Sequence, residues 1–450
     1  MMNLMTNLNS LGAHLGGWRH KDSWTRTSMN LEHSIEIAQL AEKGKFDLLF
    51  VADGNAVRQM DRPELFAASS HADRPTEFEP ITHMTAVAMH TKHIGLLATA
   101  TTTYDEPYLM ARRFASLDHL SNGRACWNVV TGSYEGDALN FSRTEHMPRL
   151  ERYERSVEFV EICKGLWDSW AEDAFIENRA TGQYLDPTKV HVLNHKGKHF
   201  SIKGPLNVSR MPQGYPVLVL AGQSEQGREM AAKHADCVFA IMNNIQEGRE
   251  IYADLKGRLA KYGRHPDSLK ILSAATAYVG RTESQADEFY DELQSLISPA
   301  LGVPYLSRLL EMDLSGYPLD GPMPDLSGKT NAIQSFRVMI NAMVKRDNLT
   351  LRQTYQRVLP SMGSIIFKGN PVQVADQMEE WYKAKACDGF NIQNPVLPRS
   401  LKDFVDLIVP ELQRRGLTRK EYTGKTLREN MELPLPVNPY FPAAARSPAE

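Results

Sequence analysis

The chain has 450 residues, 42% of them hydrophobic and 23% charged, with a formal net charge of −3. That length buries a large core, as one elaborated domain or two ordinary ones, and the composition is that of an ordinary globular protein. The near-neutral balance offers no field to hold nucleic acid or an anionic membrane, and no stretch approaches the length that spans a bilayer.

Short apolar runs alternate with helical periodicity nearly throughout. Strands are expected over 2–9, 46–52, 94–100, 125–130, 217–221, 237–241, 269–279 and 389–392. Helices are expected over 30–43, 80–89, 107–117, 150–170, 224–234, 246–262, 284–297 and 371–386. Eight strands, each beside a helix, predict an α/β protein built as a (β/α)8 TIM barrel. A doubly wound open sheet is the alternative, because sequence alone does not show closure. One barrel domain is expected over 1–432, with insertions at about 171–215 and about 299–368 and a proline-rich tail over 433–450. The tail reads as extended, lying on a neighbouring subunit. Cys126, Cys163, Cys237 and Cys387 form no C-x-x-C pair, which fits a reducing, cytoplasmic setting. No basic region leads into an apolar run at the N-terminus, so no secretory leader is expected.

In a barrel, the residues following each strand form the functional face. Asn128 lies inside the apolar run 125–130, where its amide is costly unless both ends are hydrogen-bonded. A ligand at the strand end is one such partner. The loop carrying His14, Trp18, Arg19 and His20 is flanked by glycines and suits either a substrate mouth or a packed surface loop. Asp53 follows the second strand, placed to hold a ligand N–H or hydroxyl or to cap a turn. Thr99 is equally compatible with a heterocycle edge and with a structural role. Gly222, Gln223 and Ser224 lead from the fifth strand into a helix, whose free N–H groups suit a phosphate; plain helix capping explains the same residues. Arg149 and Tyr153, four apart, share a helix face. Charge is sparse at these strand ends, which suits a large planar ligand with polar edges.

Other patterns point elsewhere or nowhere. His191, His195 and His199 would form a metal face on a helix, but Asn194 and Gly197 argue against one there, so no metal site is expected. No G-x-G-x-x-G follows a strand, and the segment after Gly222 misses G-x-S-x-G by one residue. No basic loop cluster is evident, which argues faintly against a polyanionic substrate.

The motifs resemble the bacterial luciferase-like flavin monooxygenases, in the branch of the nitrilotriacetate, EDTA and dibenzothiophene-sulfone monooxygenases. Carrying segments include Gly16-Gly17-Trp18-Arg19-His20, Phe50-Val51-Ala52-Asp53, Phe78-Glu79-Pro80-Ile81-Thr82 and Leu117-Asp118-His119-Leu120. Trp127-Asn128-Val129-Val130-Thr131, Gly204-Pro205-Leu206-Asn207-Val208, Ala221-Gly222-Gln223-Ser224 and Thr426-Leu427-Arg428-Glu429 continue the series in order. The resemblance implies a luciferase-like TIM barrel enzyme, a homodimer or homotetramer, that takes FMNH2 from a separate NAD(P)H:flavin reductase. With O2 it would oxygenate a small organic substrate at a C–N or C–S centre through a C4a-(hydro)peroxyflavin. Asp53, Thr99, Tyr153 and Ser224 match FMN-binding positions, and Asn128 matches the amide beside the isoalloxazine. His14, Trp18 and His20 are the substrate-side candidates, with His14 for proton handling. Arg149 stands where many relatives carry histidine, with His146 three residues earlier, and Gly132 stands where they carry serine. A related barrel oxidoreductase using F420 or NAD(P)H, and a non-catalytic flavin-binding homologue, are the alternatives.

Overall fold

The computed structural model describes residues 1–8, 12–25, 29–57, 76–132, 134–222, 224–327, 334–361 and 363–442. Its strands in chain order are β1 (Asn3–Asn7), β2 (Leu48–Val51), β3 (Gly95–Thr101), β4 (Ala125–Val130), β5 (Phe175–Asn178), β6 (Gln183–Leu185), β7 (His195–Lys196), β8 (Ser201–Ile202), β9 (Val217–Leu220), β10 (Cys237–Ala240), β11 (Lys270–Val279), β12 (Ile365–Gly369) and β13 (Gly389–Gln393).

The main sheet runs β10-β9-β4-β3-β2-β1-β13-β11-β12, and β10 pairs back onto β11. That last pairing, Cys237 against Lys270 through Ala240 against Ser273, closes eight parallel strands into a barrel. β12 pairs with Ala275–Val279, the C-terminal half of β11, outside that ring. All-parallel strands covered by helices are buried on both faces and read as continuous Val, Ile and Leu runs, as in Val217–Leu220.

Helices dress the outside, and their caps are local. Asn30 Oδ1 accepts the N–H groups of Glu32 and His33 before helix Leu31–Lys43, and Asn370 forms a capping box for Pro371–Lys383. One core joins the outward strand residues to helices, with Trp127, Phe159 and Phe390 buried in it.

A second core fills the barrel itself. Met5, Leu48, Leu97, Cys126, Val217, Cys237 and Leu272 meet Leu427, Met431 and Leu433 from the end of the chain. Helix Leu427–Asn430 is tied to the start of β4 by Leu427 N–H to the Gly123 carbonyl, 2.9 Å. Arg428, 2% exposed, reaches Asp236 through two bonds of 3.0 and 2.7 Å. Burial pushes the Asp236 carboxyl up, but Arg428 and the Leu218 N–H outweigh it and hold the group below its ordinary value. These residues stopper the N-terminal end of the barrel, which leaves the C-terminal strand ends as the open face.

The segment between β4 and β9 holds two antiparallel pairs, β5 with β6 and β7 with β8. The long stretch after β11 forms helices Pro299–Leu310, Gln334–Asp347 and Leu351–Val358 around a core of their own, into which Leu15 inserts. The described part of the proline-rich tail forms neither helix nor strand and is held by its own chain. Arg210 donates to the Pro436 carbonyl, Asn438 donates to Asp168 and Trp170 carbonyls, and Tyr440 stacks on His191 at 3.4 Å. Through residue 442 it lies on its own barrel.

Candidate active site

The C-terminal ends of four adjacent strands carry most of the cofactor candidates. Thr99 and Asn128 are register partners across β3 and β4. Thr99 donates its hydroxyl to the Val51 carbonyl at 2.7 Å and accepts from Asn128 Nδ2 at 2.9 Å. One end of the Asn128 amide therefore has a partner within the protein. Asp53 lies half-buried two residues beyond the end of β2.

β9 pairs with β4 and leads into the second group. Ser224 caps helix Glu225–His234 by accepting the Gly227 N–H at 3.3 Å. Tyr153 Oη lies 3.5 Å from Ser224 Oγ, and the exposed Arg149 guanidinium stands 5.8 Å from the Tyr153 ring centroid. Gly222 and Gly227 touch so closely that a Cβ on either would come within 3.0 Å of the other's Cα. Two glycines thus press the strand exit onto the first turn of the helix, and side chains there would push it away. Such a bare turn at a helix start fits a phosphate. Gln223 lies outside the described residues.

The loop after β1 is placed differently. Gly17 packs so that a Cβ would stand 2.3 Å from the Pro395 carbonyl oxygen. His14 is 3% exposed; its Nδ1 accepts the Gly16 N–H at 3.0 Å and its Nε2 faces the Gln294 amide at 3.4 Å. Accepting at Nδ1 leaves the proton on Nε2, which the Gln294 amide meets when its oxygen is turned inward. Burial, with His20 nearby, pushes the His14 pKa down to about 3. His20 is also buried, edge-on to Phe289 at 5.6 Å, with Nε2 3.3 Å from Arg399 and from Glu292. Trp18 is 45% exposed on the short turn Gly17–Arg19.

Sequence reasoning missed two features. Asn391, on β13 and 0% exposed, has neither amide atom hydrogen-bonded; the argument applied to Asn128 applies equally to it. The second is a group of arginines on one helix. Arg149, Arg152 and Arg155 recur every third residue along helix Arg149–Trp167. Arg152 and Arg143 both act on Tyr104, so the basic cluster absent from any one loop is assembled in space. His195 and His199 sit in and beside the β7–β8 pair, where His195 meets Glu158 at 3.0 Å. Among the described residues no group of His, Cys, Asp and Glu is arranged to hold a metal. No described helix is long and apolar enough to cross a membrane.

A closed parallel barrel with its polar set at the strand C-terminal ends is the architecture of a TIM-barrel enzyme. The luciferase-like monooxygenase model matches residues 10–387, and the chain belongs to that family. It is 49% identical over 435 residues to N-acetyl-S-(2-succino)cysteine monooxygenase of Bacillus subtilis (strain 168), covering 96% of this chain and 97% of that one. It is 45% identical over 443 residues to nitrilotriacetate monooxygenase component A of Aminobacter aminovorans, covering 97% of both. Among solved structures, EDTA monooxygenase from Chelativorans sp. BNC1 superposes with a TM-score of 0.79 at 32% identity, over 96% of this chain and 98% of that one. These three are monooxygenases by name, and two further relatives are named as subunits A and B of one pristinamycin IIA synthase.

Proposed function

We propose that this chain is the oxygenase of a two-component system, receiving FMNH2 from a separate NAD(P)H:flavin reductase and using O2 to oxygenate a small organic substrate at a C–N or C–S centre. The observation that carries this is the Gly222–Gly227 contact beside Ser224 and Tyr153, a helix start bared for a phosphate at the open end of a luciferase-like barrel. Reduced FMN, when bound, supplies two electrons and the activation of O2.

The residues divide the work. Gly222, Gln223, Ser224 and the first N–H groups of the helix take the phosphate, and Tyr153 and Arg149 flank it. Thr99, Asn128 and Asp53 meet the flavin edge, with Asn128 held in place by the Thr99 hydroxyl. The stoppered barrel floor keeps water from entering beneath the ring. His14 fixes the loop that presents Trp18, and His20 anchors that loop to helix Glu283–Ser295. A carboxylate-bearing substrate is in keeping with the names of the two relatives above. A homo-oligomer in the cytoplasm completes the reading.

The test is oxygen consumption with FMN, NAD(P)H and an added flavin reductase, first against N-acetyl-S-(2-succino)cysteine and nitrilotriacetate. Incorporation of one labelled oxygen atom from O2 into product supports it. A purified protein that binds no reduced FMN overturns it.

A further inference from the structure

Outside the barrel, a groove between two helices carries charges that the flavin reading leaves without a task. It encloses about 380 Å3, within the range of sites that take small molecules. One wall is helix Glu283–Ser295, which presents Glu288, Phe289 and Glu292. The other is the helical run from Arg399, which presents Arg399, Lys402, Asp403 and Asp406. Spacings of three and four place each set on one helix face. Arg281, two residues past the end of β11, and Lys21, next to His20 on the loop after β1, complete the lining.

The second wall is irregular. Pro410 brings no N–H, and its ring crowds the Asp406 carbonyl; the turn before it, Phe404–Ile408, is a π-helix. Such turns are rare and gather at functional sites. Asp406 and Leu407 from this turn line the groove.

Ion pairing does not cross the groove. Arg399 holds Asp22 at 2.9 Å and Asp403 at 3.5 Å, and Asp406 is shared by Lys402 at 2.6 Å and Lys43 at 2.9 Å. Glu288 meets the Ser284 hydroxyl of its own helix at 3.1 Å, and Glu292 meets the His20 ring at 3.3 Å. Arg281 stands near enough for its charge to act on Lys402. Among the described residues neither its guanidinium nor the Lys21 ammonium has an ion pair or hydrogen bond. An acidic pole and a basic pole therefore share one groove without meeting.

We propose that this groove is a binding site for a small zwitterion of the amino-acid class, its carboxylate at Arg281 and Lys21 and its ammonium at Glu288 and Glu292. A guanidinium gives a carboxylate two parallel N–H bonds, and an ammonium distributes three donors among carboxylates. A simple anion would meet the four carboxylates of the lining, and a simple cation its four basic side chains. A ligand with both charges finds each pole complementary. Leu407 and Val279 offer apolar surface to its side chain. The phosphate turn lies elsewhere, at the start of helix Glu225–His234, so the site stands whether or not flavin binds. It adjoins the active-face loop, because Lys21 follows His20 and Glu292 touches that ring.

The test is calorimetric titration of the full chain, without flavin, with each of the common L-amino acids. The expected result is saturable one-to-one binding of at least one of them. N-acetylation of that amino acid removes the ammonium, and amidation removes the carboxylate; each should weaken binding about tenfold or more. Arg281→Gln and Glu288→Gln, both at exposed positions, should each do the same and leave FMN affinity and melting temperature unchanged. A panel with no saturable binding overturns the proposal. So does an amino acid that binds as well when acetylated or amidated, or whose affinity survives both substitutions.

Discussion

Ser224→Asp separates a phosphate site from an ordinary helix cap. Aspartate caps helices as well as serine does, so the Gly227 N–H, now 3.3 Å from Ser224 Oγ, keeps an acceptor. What changes is the charge. Two like unit charges 4 Å apart repel by about 4 kcal/mol at the effective dielectric near a protein surface. Ser224 is partly buried, and discounting for solvent screening leaves about 2 kcal/mol, roughly a thirtyfold loss of affinity. Riboflavin, identical but for the phosphate, is the internal control. Titrations of FMN and riboflavin by fluorescence quenching should show FMN weakened roughly thirtyfold and riboflavin nearly unaffected. An equal loss for both, or none for either, refutes the assignment of the phosphate to this turn.

Three further outcomes are expected. Gly17→Ala drives a Cβ to 2.3 Å from the Pro395 oxygen, so the loop must move at a cost of about 1–3 kcal/mol; an unchanged urea midpoint contradicts this. His14 and His234 have pKa values lowered by burial to about 3 and about 2. Below the unfolded value of 6.5 the unfolded chain takes up protons that the folded one refuses. Stability is therefore full above that pH and falls as pH drops, by about 2 kcal/mol per histidine at about pH 5. His14→Gln should lose less stability than wild type between about pH 7.5 and about pH 5, and parallel losses would count against it. Arg428→Ala leaves Asp236 buried and unpaired, which should cost about 3–5 kcal/mol and show as a large drop in melting temperature.

The barrel was legible because its signal is local. The eight apolar runs correspond to β1–β4, β9–β11 and β13, and helix starts follow from caps such as Asn30 and Ser224. Strand β12 was missed because Ile365–Gly369 begins inside the segment read as an insertion. The site was legible only in part. Asn128 stood out as a polar residue in an apolar strand, and its partner Thr99 is set by β3–β4 register, which no single segment reveals. Proline content speaks of an extended tail and not of which surface it follows, so its contacts with its own barrel were not legible.

The way the barrel floor is made has a consequence for how the protein comes into being. Leu427, Met431 and Leu433 cover Met5, Leu48 and Cys237, which are synthesised long before them. While the chain is still growing on the ribosome, the inner wall stays wet, and no truncated nascent product can seal it. A fusion or deletion just ahead of Leu427 would therefore damage the oldest part of the molecule, not merely trim the newest.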